Sequence, residues 1–348
     1  MAMEIRGTGK AIPVRRVSND DLARKIDTSD EWIRSHTGIG ARHIAGEETA
    51  CSDLALEAAR EALAMAGGWR SGDRESRDQT AEAEAKSLDI IVLATVGADF
   101  YGCPSTACLV QDRLGARQSA AMDITAGCTG FVYGLETAAG LLLTEKTRKR
   151  ALVIGSEVLS KLTNWENRGA CVLFGDGAGA VVLEKTGAPS EGAGRRGLVR
   201  TVLGADGSGA EHLLIRRGGT RNPFKAGETL ELPPHIEMNG QAVYNFAVKA
   251  FTGTCGRLLA EDGIGVDDVA LIVPHQANAR IVQAAAKRLG IPEEKFFLNI
   301  EEYANTSAAS IPIALDELNR AGRLKQGDLI MTVAFGSGLT FGGNLIVW

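Results

Sequence analysis

Basic stripes, paired cysteines and long apolar runs are all missing from this sequence. Its 38 Lys and Arg are outnumbered by 43 Asp and Glu, a formal charge of −5, whereas a nucleic-acid binder normally carries a basic stripe. None of the six cysteines stands in a CxxC or similar metal spacing. Most sit inside apolar runs, which suits a reducing compartment better than a disulfide framework. No stretch approaches the roughly 20 apolar residues that cross a bilayer, and the opening MAMEIRGTGK holds no apolar core of signal-peptide length. The expectation is a cytoplasmic protein with neither nucleic acid nor membrane as partner. Aromatics are few, 5% of the chain against 42 glycines, which points to many tight turns and close backbone approaches. With 45% apolar residues in 348, the chain can bury a sizeable core, as about two domains or as two similar halves.

Short β-branched runs read as buried strands: 90–93, 151–154, 180–183, 271–273 and 329–333. Their near-continuous apolarity fits strands covered on both faces. Ala- and Leu-rich segments of helical spacing lie between them, at 51–66, 105–114, 129–144, 241–260, 277–289 and 306–321. Alternating strands and helices predict an α/β fold. The order also repeats. From Leu88 it runs strand, helix ending Arg113-Leu114-Gly115, strand 120–124, helix 129–144, strand 151–155. From Val269 it runs strand, helix ending Arg288-Leu289-Gly290, strand 296–300, helix 306–321, strand 328–334. The pattern predicts two pseudo-symmetric halves, 1–184 and 185–348, with a site between them. Residues 70–86 are charged and apolar-poor, an expected exposed insertion or mobile loop. Residues 185–235 lack sustained periodicity and are expected to be an irregular linker or cover over a site.

Cys128 stands where strand 121–124 gives way to a helix, in ITAGCTGF. A helix start favours thiolate through its dipole and free N–H groups; a lone cysteine is also commonly a buried structural residue. His275, in PHQANAR, follows strand 271–273 at the sheet end where α/β sites gather, and is alternatively a satisfied loop histidine. Asn305, in YANTSAASIP, occupies the corner of the second repeat that Cys128 occupies in the first, and is alternatively a plain helix cap. Together the three supply a thiolate and two hydrogen donors able to converge on one thioester carbonyl. The glycines of AFGSGLTFGG (334–343) suit an amide aimed at an oxyanion beside the Cys128 N–H, or an ordinary turn. GDGAGA (175–180) precedes an apolar run instead of following one, so it is no dinucleotide loop. Trp32, Arg34 and His36 in DEWIRSHTGI suit adenine stacking or phosphate contact, or packing. Arg280, Lys287 and Arg288 share one helical face, either solvated or a docking stripe for phosphate or an acidic carrier protein.

The strings DEWIRSHTGI, ITAGCTGF, FGDGAGAVVL, HQAN, NTSAASIP and AFGSG occur in this order over nearly the whole chain. This set resembles the β-ketoacyl-acyl-carrier-protein synthase III family of condensing enzymes. The resemblance implies a thiolase-like αβαβα sandwich, usually a homodimer. It implies that Cys128 takes an acyl group from acyl-CoA, and that His275 and Asn305 stabilise the enolate from decarboxylation of malonyl-acyl carrier protein. It further implies an oxyanion hole from the amides of Cys128 and Ser337, and CoA binding by Trp32, His36 and Arg168. Phe131 would belong to the acyl pocket, which Cys103 would close across the dimer, and Arg280, Lys287 and Arg288 would dock the carrier protein. No metal or redox cofactor is implied, since decarboxylation supplies the driving force.

The chain departs from the family pattern at His36, commonly Arg, at Cys103, commonly bulkier, and at Ala304 and Ser337, commonly Gly. The small Cys103 suggests primers longer or more branched than acetyl. A related acyl-CoA condensing enzyme of secondary metabolism or long-chain ketone synthesis would keep Cys128, His275 and Asn305 but use another acceptor. A non-catalytic acyl-binding protein would not need the intact triad.

Overall fold

The computed structural model describes residues 1–187, 196–260 and 264–348. Nine strands form its main sheet: β1 (Ala2–Ala11), β2 (Ile90–Ala94), β3 (Ala120–Ile124), β4 (Arg150–Val158), β5 (Asp176–Thr186), β6 (Gly197–Ala205), β7 (Val269–Pro274), β8 (Leu329–Gly336) and β9 (Thr340–Val347). Across the sheet they run β7-β8-β9-β6-β1-β5-β4-β2-β3. The seam is narrow: β1 meets β6 at the single pair Met3 and Gly197. Outward from it, each half repeats one plan, an antiparallel trio followed by a parallel strand (β1-β5-β4-β2 and β6-β9-β8-β7). The first half adds β3, parallel to β2. In the second half the matching position holds only a parallel bridge between Phe296 and Ile272. The strand expected at 296–300 is therefore reduced to one bridge, and Ile300–Tyr303 turns helical.

The helices used below are α1 (Asp30–Thr37), α2 (Cys51–Ala66), α3 (Arg74–Ala85), α4 (Thr106–Arg113), α5 (Gly130–Thr144), α6 (Gly240–Leu259), α7 (Ala279–Leu289) and α8 (Ser310–Arg320). Strand alternation sorts them into layers. Ile91 and Leu93 face an outer cluster with Ala58, Ala62 and Leu63 of α2. Their neighbours Ile90 and Val92 face a central cluster with Phe131 and Leu135 of α5 and Ile311 and Leu315 of α8. In the second half Ile330 and Ala334 of β8 face that same centre. Met331 and Val333 face outward to Phe251 of α6 and Ile281 of α7. This is the αβαβα sandwich, with α5 and α8 enclosed by both halves. Each large apolar side chain so buried contributes about 1.5–3 kcal/mol. Close layering also explains the glycine in β1: a Cβ built on Gly7 would lie 2.2 Å from the Ala62 carbonyl oxygen of α2.

Two expectations need correction. Residues 70–86 are not a mobile loop, because they carry α3, whose N-cap Asp73 accepts from the Ser76 N–H. Ala81 and Ala85 of α3 are buried against α2. The 185–235 stretch is not irregular throughout. It contributes β6 at the seam and the short strand Leu213–Ile215, which pairs with Ile236–Met238; residues 188–195 lie outside the described residues. The 184/185 division falls within the last residues of β5. No helix among the described residues is long and apolar enough to cross a membrane.

Candidate active site

The corners predicted from the repeat converge. A cavity of about 520 Å³ is walled by Cys128, His275, Asn305 and Ser337, and its other end reaches Trp32 and His36. Most of the remaining wall is apolar, including Leu213, Ile215, Ile236, Met238 and Ile281.

Cys128 lies in a single 3₁₀ turn, Gly127–Thr129, between β3 and α5. Two glycines make the turn possible. Gly127 has φ 55°, a left-handed value that favours glycine. A Cβ on Gly336 would lie 2.4 Å from the Cys128 nitrogen. The Gly336-Ser337 segment at the end of β8 is thus pressed against the cysteine turn, and a Cβ on Gly127 would meet the Ser337 nitrogen at 2.7 Å. The two amides expected to form an oxyanion hole are neighbours. Against the thiolate expectation, burial pushes the Cys128 thiol up to about 12, and the nearby Glu157 adds to the shift.

His275 is buried at the end of β7. Burial lowers its pKa to about 3, so the ring is neutral at physiological pH. Its Nδ1 lies 2.8 Å from Ser310 Oγ. That hydroxyl also accepts from the Gln276 N–H at 3.4 Å, and in one of the two tautomers it donates its own proton to Nδ1. The ring nitrogen on the other side, Nε2, then carries the imidazole proton. The edge of the ring also meets Phe335, with centroids 5.6 Å apart.

Asn305 is not the helix cap of the alternative reading. It stands ahead of the Ser307–Ala309 turn that leads into α8. Its backbone is held on both sides, donating to Leu173 O at 2.9 Å and accepting from Gly175 N at 3.0 Å. Its Oδ1 accepts from the Ser307 N–H at 2.9 Å, which turns the Nδ2 donor toward the cavity it lines. Ala304, where the family commonly has Gly, takes φ 57° and ψ −157°, a region almost reserved for glycine. The departure seen in sequence is therefore a strained residue next to a site side chain.

At the far end Trp32 stacks on His36, with centroids 4.4 Å apart and planes 20° apart. The Arg168 guanidinium lies 4.7 Å from the Trp32 ring centre. These residues come together as expected, but Arg168 already covers the indole, so an adenine would enter by displacing it. Arg280, Lys287 and Arg288 are exposed on α7, while Ile281 of the same helix walls the cavity. Within one chain, the two residues expected at the acyl pocket stand away from this cavity. Phe131 is fully buried in the central layer, Cys103 is exposed at the surface, and neither lines this cavity. Sequence reasoning passed over Glu157, Ser307 and Ser310, all buried. For Glu157 the signal was available: one carboxylate interrupts the apolar strand VIGSEVLS.

A half-buried cysteine, a neutral imidazole and an asparagine amide in one cleft of a doubled αβαβα fold define a thiolase-like condensing enzyme. Comparisons with known proteins agree. Residues 122–207 match the family model described as 3-oxoacyl-[acyl-carrier-protein (ACP)] synthase III, and residues 259–348 match its C-terminal model. A β-ketoacyl-[acyl-carrier-protein] synthase III of Desulfitobacterium hafniense is 45% identical over 349 residues, covering 100% of this chain and 98% of its own. The crystal structure of the Aquifex aeolicus 3-oxoacyl-[acyl-carrier-protein] synthase III is 40% identical, covers 100% of both chains and superposes with a TM-score of 0.85. The priming β-ketosynthase of the R1128 polyketide pathway is 30% identical, with a TM-score of 0.84 over 99% of this chain and 96% of its own. The chain belongs to the β-ketoacyl-[acyl-carrier-protein] synthase III family.

Proposed function

We propose that the protein joins an acyl group from acyl-CoA to malonyl-acyl carrier protein, giving 3-oxoacyl-acyl carrier protein, CoA and CO₂, the condensation that initiates fatty-acid synthesis. The observation that carries this reading is the shared cavity of Cys128, His275 and Asn305. Cys128 attacks the acyl-CoA thioester and holds the acyl group while CoA leaves. Malonyl on its carrier then enters and loses CO₂, and the electron pair left on the α-carbon delocalises onto the thioester oxygen. His275 Nε2–H and Asn305 Nδ2–H donate to that enolate oxygen. A neutral donor suits the step, because a protonated imidazole would quench the carbanion. The α-carbon attacks the acyl-cysteine carbonyl, whose oxyanion is met by the amides of Cys128 and Ser337. Collapse expels the Cys128 sulfur and releases the product. As written, the sequence needs no metal or redox cofactor.

Trp32, His36 and Arg168 receive the CoA adenine and phosphates, and Arg280, Lys287 and Arg288 draw the acidic carrier protein to the mouth of the cavity. The reading places the protein in the cytoplasm as a homodimer. In support of the dimer, β3 is an unpaired sheet edge carrying half-buried Met122 and Ile124. Such an edge is a template for pairing. Cys103 would reach an acyl pocket only across that interface.

The second reading, a priming ketosynthase of secondary metabolism, is favoured by the likeness to the R1128 enzyme. Incubation with a panel of acyl-CoAs and either malonyl-acyl carrier protein or malonyl-CoA separates these possibilities. We expect 3-oxoacyl product with the carrier substrate and none with malonyl-CoA alone. Product from malonyl-CoA, or from two acyl-CoAs, would overturn the assignment of acceptor.

A further inference from the structure

The resting site leaves one proton without a destination. With its pKa pushed up by burial, the Cys128 thiol must lose its proton to attack a thioester. His275 is a poor acceptor, because its Nδ1 is bonded to Ser310 and burial lowers its pKa to about 3. Another acceptor is close by. Glu157, at the end of β4, is fully buried. Its Oε2 accepts from Thr95 Oγ1 and from the Val96 N–H, both at 3.1 Å, and its Oε1 has no hydrogen-bond partner of ordinary geometry. The Ser307 hydroxyl, which lines the cavity, is likewise buried without such a partner.

Backbone geometry brings these groups together. Gly155 and Glu157 are two residues apart on β4 and so point to the same face. A Cβ on Gly155 would lie 2.3 Å from the Ala308 carbonyl oxygen, so that face is pressed onto the Ser307–Ala309 turn. Ser307 itself is held at φ 48°, a left-handed value that costs of order 1–3 kcal/mol for a non-glycine residue. Asn305 fixes it there through the Ser307 N–H.

We propose that Ser307 and Glu157 form the path by which Cys128 loses its proton during acylation. This rests on the reading of Cys128 as the nucleophile. As the sulfur–acyl carbon bond forms, the S–H bond breaks and its proton passes to Ser307 Oγ, while the hydroxyl proton of Ser307 passes to the Glu157 carboxylate. Collapse of the tetrahedral adduct breaks the bond from acyl carbon to CoA sulfur. The departing sulfur then takes a proton back along the same path, leaving CoA thiol and an ionised Glu157.

Burial raises the Glu157 carboxyl to about 7, with Val96, Ser307, Thr95 and Ala308 opposing the shift. The Ser307 hydroxyl also opposes the burial shift of the Cys128 thiol. Besides Thr95, Val96, Ser307 and Ala308, the titratable groups facing Glu157 are the Cys51 and Cys128 thiols, both pushed up by burial to about 12. Asp99 faces Cys51 in turn. The proton acceptor near neutrality is therefore Glu157, which accepts only when ionised, so acylation should speed up as pH rises through about 7.

The test is single-turnover acylation of Cys128 by acyl-CoA, read by quenched intact-protein mass across about pH 5.5 to 9. It compares the wild type with Glu157→Gln, Glu157→Asp and Ser307→Ala, each checked for folding by thermal melting. We expect the wild-type rate to rise with a midpoint near 7. Glu157→Gln and Ser307→Ala should lose about a hundredfold in rate and lose the inflection, and Glu157→Asp should recover the inflection with part of the rate. If Glu157→Gln keeps the wild-type inflection, or if Ser307→Ala acylates at the wild-type rate, the path is overturned. Absence of acyl label on Cys128 in the wild type at every pH would overturn the nucleophile reading instead.

Discussion

Ser310 Oγ and His275 Nδ1 lie 2.8 Å apart, joining the first turn of α8 to the end of β7. This contact sets which imidazole nitrogen carries the proton, and so whether His275 faces the cavity as a donor. Ser310→Ala frees the other tautomer and should slow malonyl decarboxylation about tenfold, while acylation of Cys128 changes less. With the imidazole pKa lowered to about 3, the neutral donor persists at every pH above that value. Decarboxylation should therefore show no His inflection near pH 6.5. Carbon dioxide release from malonyl-acyl carrier protein, measured against pH, checks both statements.

Gly336 bears on the cysteine turn so closely that a methyl group has nowhere to go, with the Cys128 nitrogen 2.4 Å from its Cβ position. Gly336→Ala should displace the turn and its paired amides, cutting the acylation rate about a hundredfold, the scale of losing an oxyanion donor. A variant that acylates at the wild-type rate would show that those amides do not act on the reacting carbonyl.

Arg280 and Lys287 are exposed on a helix that also walls the cavity. Double charge reversal to Glu should raise KM for malonyl-acyl carrier protein about tenfold and flatten its salt dependence, with KM for acyl-CoA little changed. Steady-state kinetics at low and high salt test this.

Much of the fold was legible in the sequence because central strands such as β2, β4 and β8 are covered on both faces and read as unbroken apolar runs. β1 and β9 were hidden for a physical reason. They carry glycines where neighbouring backbone comes too near for a side chain, as at Gly7 and at Gly343, whose Cβ would lie 2.4 Å from the Thr332 carbonyl oxygen, and glycine reads as turn. α3 was hidden because a surface helix packed through small residues such as Ala81 and Ala85 shows little apolar periodicity. At the site, Cys128, His275 and Asn305 could be found because the repeat places each at a strand-to-helix corner. Glu157 and Ser307 belong to no corner motif, and their importance lies in the burial that three dimensions impose.

The most direct test of the central claim, that the half-buried Cys128 becomes an acyl carrier, is intact-protein mass spectrometry after incubation with acyl-CoAs of increasing chain length, followed by peptide mapping. The account predicts one added acyl mass per chain, located on Cys128, lost in Cys128→Ala and discharged by malonyl-acyl carrier protein. Acyl mass mapped to another residue, or no adduct with any acyl-CoA in the series, would contradict it.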